Sequence, residues 1–215
     1  MKILCLSDTH SMHHKIQLPD LSGIDVVVHT GDFSSTGDEI SIDHFLCWFA
    51  DLPVKHKLLV AGNHDKFVMH YNDRFKIKCA VLGITYLQDS GCEINEIKFW
   101  GTPWVNQFYN WAFMMYEKDL AQVYKLIPKD TQILLSHGPA NGILDYVERP
   151  GGGNVGAVAL KERLAKLKHL KYHIFGHIHE NHGVLDTGSY IAVNASSVTE
   201  EYKPINLPII IKVVV

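Results

Sequence analysis

Five short segments of this 215-residue sequence end an apolar run in side chains that bind metals. They are Ser7-Asp8-Thr9-His10, Gly31-Asp32, Gly62-Asn63-His64-Asp65, Ser136-His137-Gly138 and Gly176-His177-Ile178-His179. Together they offer Asp8, His10, Asp32, Asn63, His137, His177 and His179, a mixed oxygen and nitrogen set. Such a set suits Mn, Fe, Zn or a similar ion better than Ca or Mg. Asp32 is the natural bridge between two ions, because a carboxylate has one oxygen for each. Two cations roughly 3.5–4 Å apart clamp a phosphoryl group. They also lower the pKa of a bridging water, which then attacks phosphorus without a covalent intermediate. The chemistry expected of these residues is hydrolysis of a phosphate ester. The 14 histidines of the chain, many beside Asp, Asn or Gly at expected strand ends, point the same way.

The runs before these segments must position them. Residues 2–7, 25–29 and 57–61 are short and apolar or β-branched, as strands of a buried, largely parallel sheet are. Residues 38–52 place apolar side chains at 42, 45, 46 and 49 and stop before Pro53, which predicts a helix. Strand-length pieces at 79–82, 85–88, 92–95 and 97–101, divided by Gly83, Ser90-Gly91 and Glu96, suggest hairpins or a meander. The spacing predicts a helix over 109–126 that buries Trp111, Met114, Met115 and Leu120. Further strands are expected at 132–136, 172–175, 183–185, 190–193 and 207–215, with a helix near 154–169. Ligands gather beyond the carboxyl ends of strands in α/β sheets, so the five loops can share one rim.

The composition narrows the class. A net charge of −3 and a pI near 6.5 argue against a protein that grips long nucleic acid. The length suits one domain spanning 1–215. Cys5, Cys47, Cys79 and Cys92 lack a CxxC spacing, and Cys5 and Cys47 read as buried thiols. The start shows no leader pattern, and no apolar run approaches a membrane span. The expectation is a cytoplasmic protein without a membrane partner.

In order and spacing the five segments resemble the calcineurin-like metallophosphoesterases, over nearly the whole chain. Tyr86-Leu87-Gln88-Asp89-Ser90, Gly101-Thr102-Pro103-Trp104, His137-Gly138-Pro139, Phe175 to Glu180 and Val193-Asn194-Ala195-Ser196 are similar to a closer group. That group is the short metallophosphoesterase-domain proteins of brain type. The resemblance implies a four-layer α/β/β/α sandwich of two mixed sheets, with the metal site at the strand ends. It implies a first metal on Asp8, His10, Asp32 and His179, and a second on Asp32, Asn63, His137 and His177. His64 would be the catalytic acid that protonates the leaving oxygen, oriented by Asp65. Asn63, His64 and His177 would meet the substrate. One departure is visible: the family often has an acidic residue three positions after the bridging Asp, where this chain has Ser35.

The expected activity is hydrolysis of a small phosphodiester of nucleotide or cyclic-nucleotide type. No arginine adjoins the five motifs, and Arg74, Arg149 and Arg163 are the only ones in the chain. A dianionic monoester usually asks for more cations. The alternatives are a phosphomonoesterase or protein phosphatase, a non-catalytic protein-binding scaffold, and a nuclease of the same superfamily. The aromatic stretch 104–111 reads as core or lid packing, with a nucleobase-stacking wall as the sharper reading. Asp145, Glu148 and Arg149 read as a solvated loop bordering the pocket, and His13, His14 and His29 as surface or satisfied core histidines. The oligomeric state is left open.

Overall fold

A computed structural model of the chain describes residues 1–214. The first stretch forms β1 (Lys2–Leu6), β2 (Val26–His29), α1 (Glu39–Asp51), β3 (His56–Leu59), α2 (Lys66–His70), α3 (Asn72–Val81) and β4 (Thr85–Tyr86). Next come β5 (Ser90–Ile94), β6 (Ile97–Thr102), β7 (Val105–Asn106), β8 (Met114–Met115), α4 (Glu117–Val123) and β9 (Ile133–Ser136). The remainder forms β10 (Tyr146–Val147), β11 (Gly153–Asn154), α5 (Val158–Leu164), β12 (Tyr172–Phe175), β13 (Gly183–Asp186), β14 (Ile191–Asn194) and β15 (Ile209–Lys212). The last expected strand is thus shorter than 207–215, and Val215 lies outside the described residues.

Two sheets dominate, with strand orders β15-β1-β2-β3-β4 and β13-β14-β12-β9-β6-β5. In the first, β1 to β4 run parallel and β15 closes the edge antiparallel. In the second, β14, β12, β9 and β6 run parallel between antiparallel edges. Alternation along β1 shows how the layers form, because successive side chains point to opposite faces. Ile3 and Cys5 join Val26, Val28, Phe99, Ile133, Leu135 and Ile174 in a core between the sheets. Leu4 and Leu6 face the other way, onto Ile42, Phe45, Leu46 and Phe49 of α1 and Phe75 and Cys79 of α3. Leu134 of β9 packs with Leu120 of α4 and Leu160 and Leu164 of α5 on the far side. The order is helix, sheet, sheet, helix.

Three expectations need correction. Residues 79–82 are not a strand: they fall at and just beyond the end of α3, whose Phe75 and Cys79, four apart, form its buried stripe. The expected helix over 109–126 begins only at Glu117, since Phe113 takes a left-handed φ of 54° and β8 pairs with β7. Phe113 is fully buried against Trp104, so the chain doubles back there. Cys47 is exposed on α1, whereas Cys5 is buried. Among the described residues, no helix is long and apolar enough to cross a membrane.

Candidate metal centre

The loops after β1, β2 and β3 of one sheet and after β9 and β12 of the other meet at a common rim. Tight backbone paths bring them there. Asp8, His10, Asp32 and His177 all hold left-handed φ values, of 49°, 41°, 54° and 69°. Each costs of order 1–3 kcal/mol for a residue other than glycine, and such outliers concentrate at working sites. Hydrogen bonds between loops hold the strain: Asp8 N–H donates to the Gly31 carbonyl at 2.9 Å and His10 N–H to the Asp32 carbonyl at 3.0 Å. The Asp8 carboxylate accepts the His177 N–H at 3.0 Å, joining the two sheets' loops. Gly176 permits this approach, since any Cβ there would collide with that carboxylate.

Two ligand-type groups that share no residue result, Asp8–His10–His179 and Asp32–His137–His177, and a third, His10–Asp32–His64, overlaps both; in each the donor atoms lie within 4.8 Å of one another. In the first, Nε2 of His179 lies 3.5 Å from Oδ1 of Asp8 and 3.2 Å from Nε2 of His10. In the second, Nε2 of His137 lies 3.3 Å from Oδ2 of Asp32 and 2.9 Å from Oδ1 of Asn63. That same Asp32 oxygen is 3.9 Å from Nε2 of His10, so Asp32 stands between the groups. Metal–ligand bonds of roughly 2.0–2.2 Å put neighbouring ligands about this far apart.

The lone pairs provide the test of fit. His137 Nδ1–H donates to the Thr30 carbonyl at 2.9 Å, which leaves Nε2 of the neutral ring as an acceptor. It faces two more acceptors, on Asn63 and Asp32. Three lone pairs aimed at one point call for a proton or a cation. His137 registers this: burial would lower its pKa, but the Asp32 charge and hydrogen bond lift it to about 9. Burial opposes ionisation of Asp8, yet its hydrogen bond to His179 and that charge hold it well below the usual carboxylate range. Asp32 is likewise held low against burial by His137 and His64. Burial drops His10 to about 4 and His177 to about 3, so both are neutral at pH 7. Ionised carboxylates and neutral imidazoles are the forms that bind metal. The residues present fit divalent cations.

The family model for calcineurin-like phosphoesterases matches residues 1–181, which include all five loops. This chain belongs to that family. Its curated relatives include metallophosphoesterase domain-containing protein 1 of Homo sapiens, 33% identical over 235 residues, 98% of this chain and 70% of that protein. A UPF0046 protein of Caenorhabditis elegans is 33% identical over 209 residues, 91% of this chain and 69% of that one. A solved Thermus thermophilus protein superposes with a TM-score of 0.64 at 13% identity, over 90% of this chain and 88% of its own. At that identity the likeness is one of fold.

Around the metal-type side chains the phosphoesterase differs from expectation in who holds whom. Asp65 does not orient His64. It is fully buried and accepts from the N–H groups of Asp32 (2.9 Å), Gly62 (2.8 Å) and Ser34 (3.0 Å) and from the Ser34 hydroxyl (2.8 Å). Burial and the Asp32 charge push its carboxyl up to about 7 against those donors. The His64 ring is held instead by the Ser35 carbonyl, 2.8 Å from Nδ1, and its backbone N–H donates to Oδ1 of Asp32 at 2.7 Å. The Ser35 hydroxyl donates to the His10 carbonyl at 2.6 Å. The position where the family often carries an acid thus links His10 to His64 through a serine.

A cleft of about 860 Å³ opens over Asp32, Asn63, His64, His177 and His179. Trp104, Phe108, Tyr109 and Trp111 of the aromatic stretch all line the cleft, and Trp104 is held there by its Nε1–H donating to Asp89 at 2.7 Å. Trp111 packs against His64 with centroids 4.3 Å apart and the ring planes tilted by 37°. Asp145 is buried rather than solvated, accepting from Gly142 and Gly156 N–H, and the loop it braces carries Arg149 to the cleft wall. Arginine is therefore present at the site, although none adjoins a motif in sequence. Tyr202 also lines the cleft. Nothing in its local sequence marks it; only the position of its loop after a parallel strand could have.

Proposed function

We propose that this phosphoesterase is a two-metal phosphodiesterase for small diesters that carry a flat arm, of nucleotide or cyclic-nucleotide type. The observation that carries the reading is the placing of Asp32 between two ligand groups on the floor of the cleft, with His64 beside it. Asp8, His10, Asp32 and His179 would hold one cation, and Asp32, Asn63, His137 and His177 the other, with Mn, Fe and Zn suited to the donors. Bound divalent cations supply Lewis-acid polarisation of phosphoryl oxygens and a lowered pKa for the attacking water. The chain's own residues supply position and a proton. Donation of Nδ1–H to Ser35 leaves Nε2 of His64 facing the site, 4.0 Å from Oδ2 of Asp32. In the imidazolium form that nitrogen can protonate the leaving oxygen.

Charge at the cleft supports a diester. Beyond the ligand set, Glu117, Glu180 and Glu200 line it against Arg149. An electronegative approach favours a monoanionic diester over a dianionic monoester. Phe108 and Tyr109, both exposed, present rings to a planar substituent. The test is a substrate panel on stripped protein resupplied separately with Mn, Fe, Zn, Ni and Co. Aryl phosphodiesters should show a higher kcat/KM than the matching monoesters. A monoester preference of about tenfold moves the reading to a phosphatase, and no turnover with any metal moves it to a scaffold.

A further inference from the structure

Strand β14 runs parallel to β12, so its carboxyl end reaches the same rim as the five ligand-bearing loops. The loop that follows lies beyond residue 181, where the family match ends. It is nonetheless stitched to the centre. Ser196 pairs with Ser7, next to Asp8, and Ser197 N–H donates to the Ser7 carbonyl at 2.8 Å. The Asn206 amide donates to the carbonyls of Ser196 and Val198, both at 3.0 Å, and closes the loop on itself. Inside it, Tyr202 N–H donates to the Thr199 carbonyl and Thr199 N–H to the Lys203 carbonyl, each at 2.9 Å.

That turn holds Tyr202 at φ 58°, a region a bulky aromatic residue enters only at a cost. The strain places its ring edge-on to two imidazoles of one group, 4.9 Å from His10 and 5.2 Å from His179 between centroids. The residue lines the cleft with Asp32 and His177 and stays 47% exposed. Among the described residues its hydroxyl has no hydrogen-bond partner.

We infer that the Tyr202 hydroxyl is a substrate-binding group, donating a hydrogen bond to a non-bridging oxygen of the phosphoryl group above Asp8, His10 and His179. The inference rests on the metal-dependent reading of the site. A ring alone would suffice for packing against the histidines. An exposed, unpaired donor held at a backbone cost has a further use where an anion binds.

Inorganic phosphate titrated calorimetrically into the Mn-loaded full chain reads this contact without turnover. Tyr202→Phe keeps the ring and removes the donor, and a hydrogen bond to a charged group is worth about tenfold or more in affinity. The variant should bind phosphate about tenfold more weakly while metal content and Tm stay at wild-type values. KM for an aryl diester should rise by a similar factor with kcat little moved. Phosphate affinity within about twofold of wild type would overturn the assignment, and so would loss of metal from the Phe variant. If wild-type protein turns over diesters but the two bind phosphate equally, Tyr202 alone is misassigned. If metal-loaded wild type hydrolyses no phosphate ester, the functional reading fails, and the phosphate titration still decides Tyr202.

Discussion

His64 and Asp65 are neighbours with opposite employments. His64 stands at the cleft with Nε2 free, whereas Asp65 turns inward and gathers donors from Asp32, Gly62 and Ser34. Their substitutions should therefore part company. His64→Ala should leave metal content intact and slow esters with poor alkoxide leaving groups by about 10²–10⁴-fold, as loss of a general acid does. Nitrophenolate esters should slow far less; an equal fall for both would make His64 a substrate-positioning residue. Asp65→Asn should weaken metal binding by roughly 10–100-fold, the usual effect of removing a ligand's support. With saturating metal, its dependence on the leaving group should match wild type. A changed dependence would return Asp65 to the orienting role expected from sequence. The sequence shows both residues plainly, but adjacency in a chain does not say which way two consecutive side chains point.

Parallel strands bring the ligand loops together, and the link between β9 and β12 carries a titration of its own. Inside it His173 is fully buried, with Nε2 2.7 Å from the Ser136 hydroxyl, and burial depresses its pKa to about 3. The unfolded chain takes up a proton near 6.5 that the folded chain refuses. Stability from this group is therefore complete above pH 6.5 and falls as the pH drops from there towards 3, by up to roughly 1.4 kcal/mol per pH unit. Urea midpoints between pH 7.5 and 5 should show a shallower decline in His173→Gln than in wild type. Identical slopes would mean that His173 titrates normally in the fold. Elements with clear punctuation were readable in advance. Helix α1 has Asp38 at its start, whose carboxylate accepts the Ser41 N–H at 2.9 Å, and stops before Pro53. The pieces at 79–82 and 109–126 were misread for a physical reason: a four-residue apolar run suits strand or helix, and the left-handed turn at Phe113 has no glycine to announce it.

Across the molecule, five loops from two sheets bring candidate ligands to one rim, and each carries Asp, Asn or His within four residues of a strand's end, a pattern legible in the sequence. What stayed hidden came from residues without that signature. Ser35 acts through its carbonyl, Arg149 arrives on a loop distant in sequence, and Tyr202 belongs to a loop placed only by the parallel pairing of β14. A backbone carbonyl, an arginine on a distant loop and a phenol reach the site through tertiary position, which composition and spacing do not encode. The central claim is that Asp32 serves both ligand groups. Metal equivalents retained after dialysis, in variants confirmed folded by circular dichroism, test it most directly. Asp32→Ala should lose both ions, and His10→Ala should keep about one. Retention of two equivalents by Asp32→Ala would contradict the shared carboxylate and with it the two-metal account.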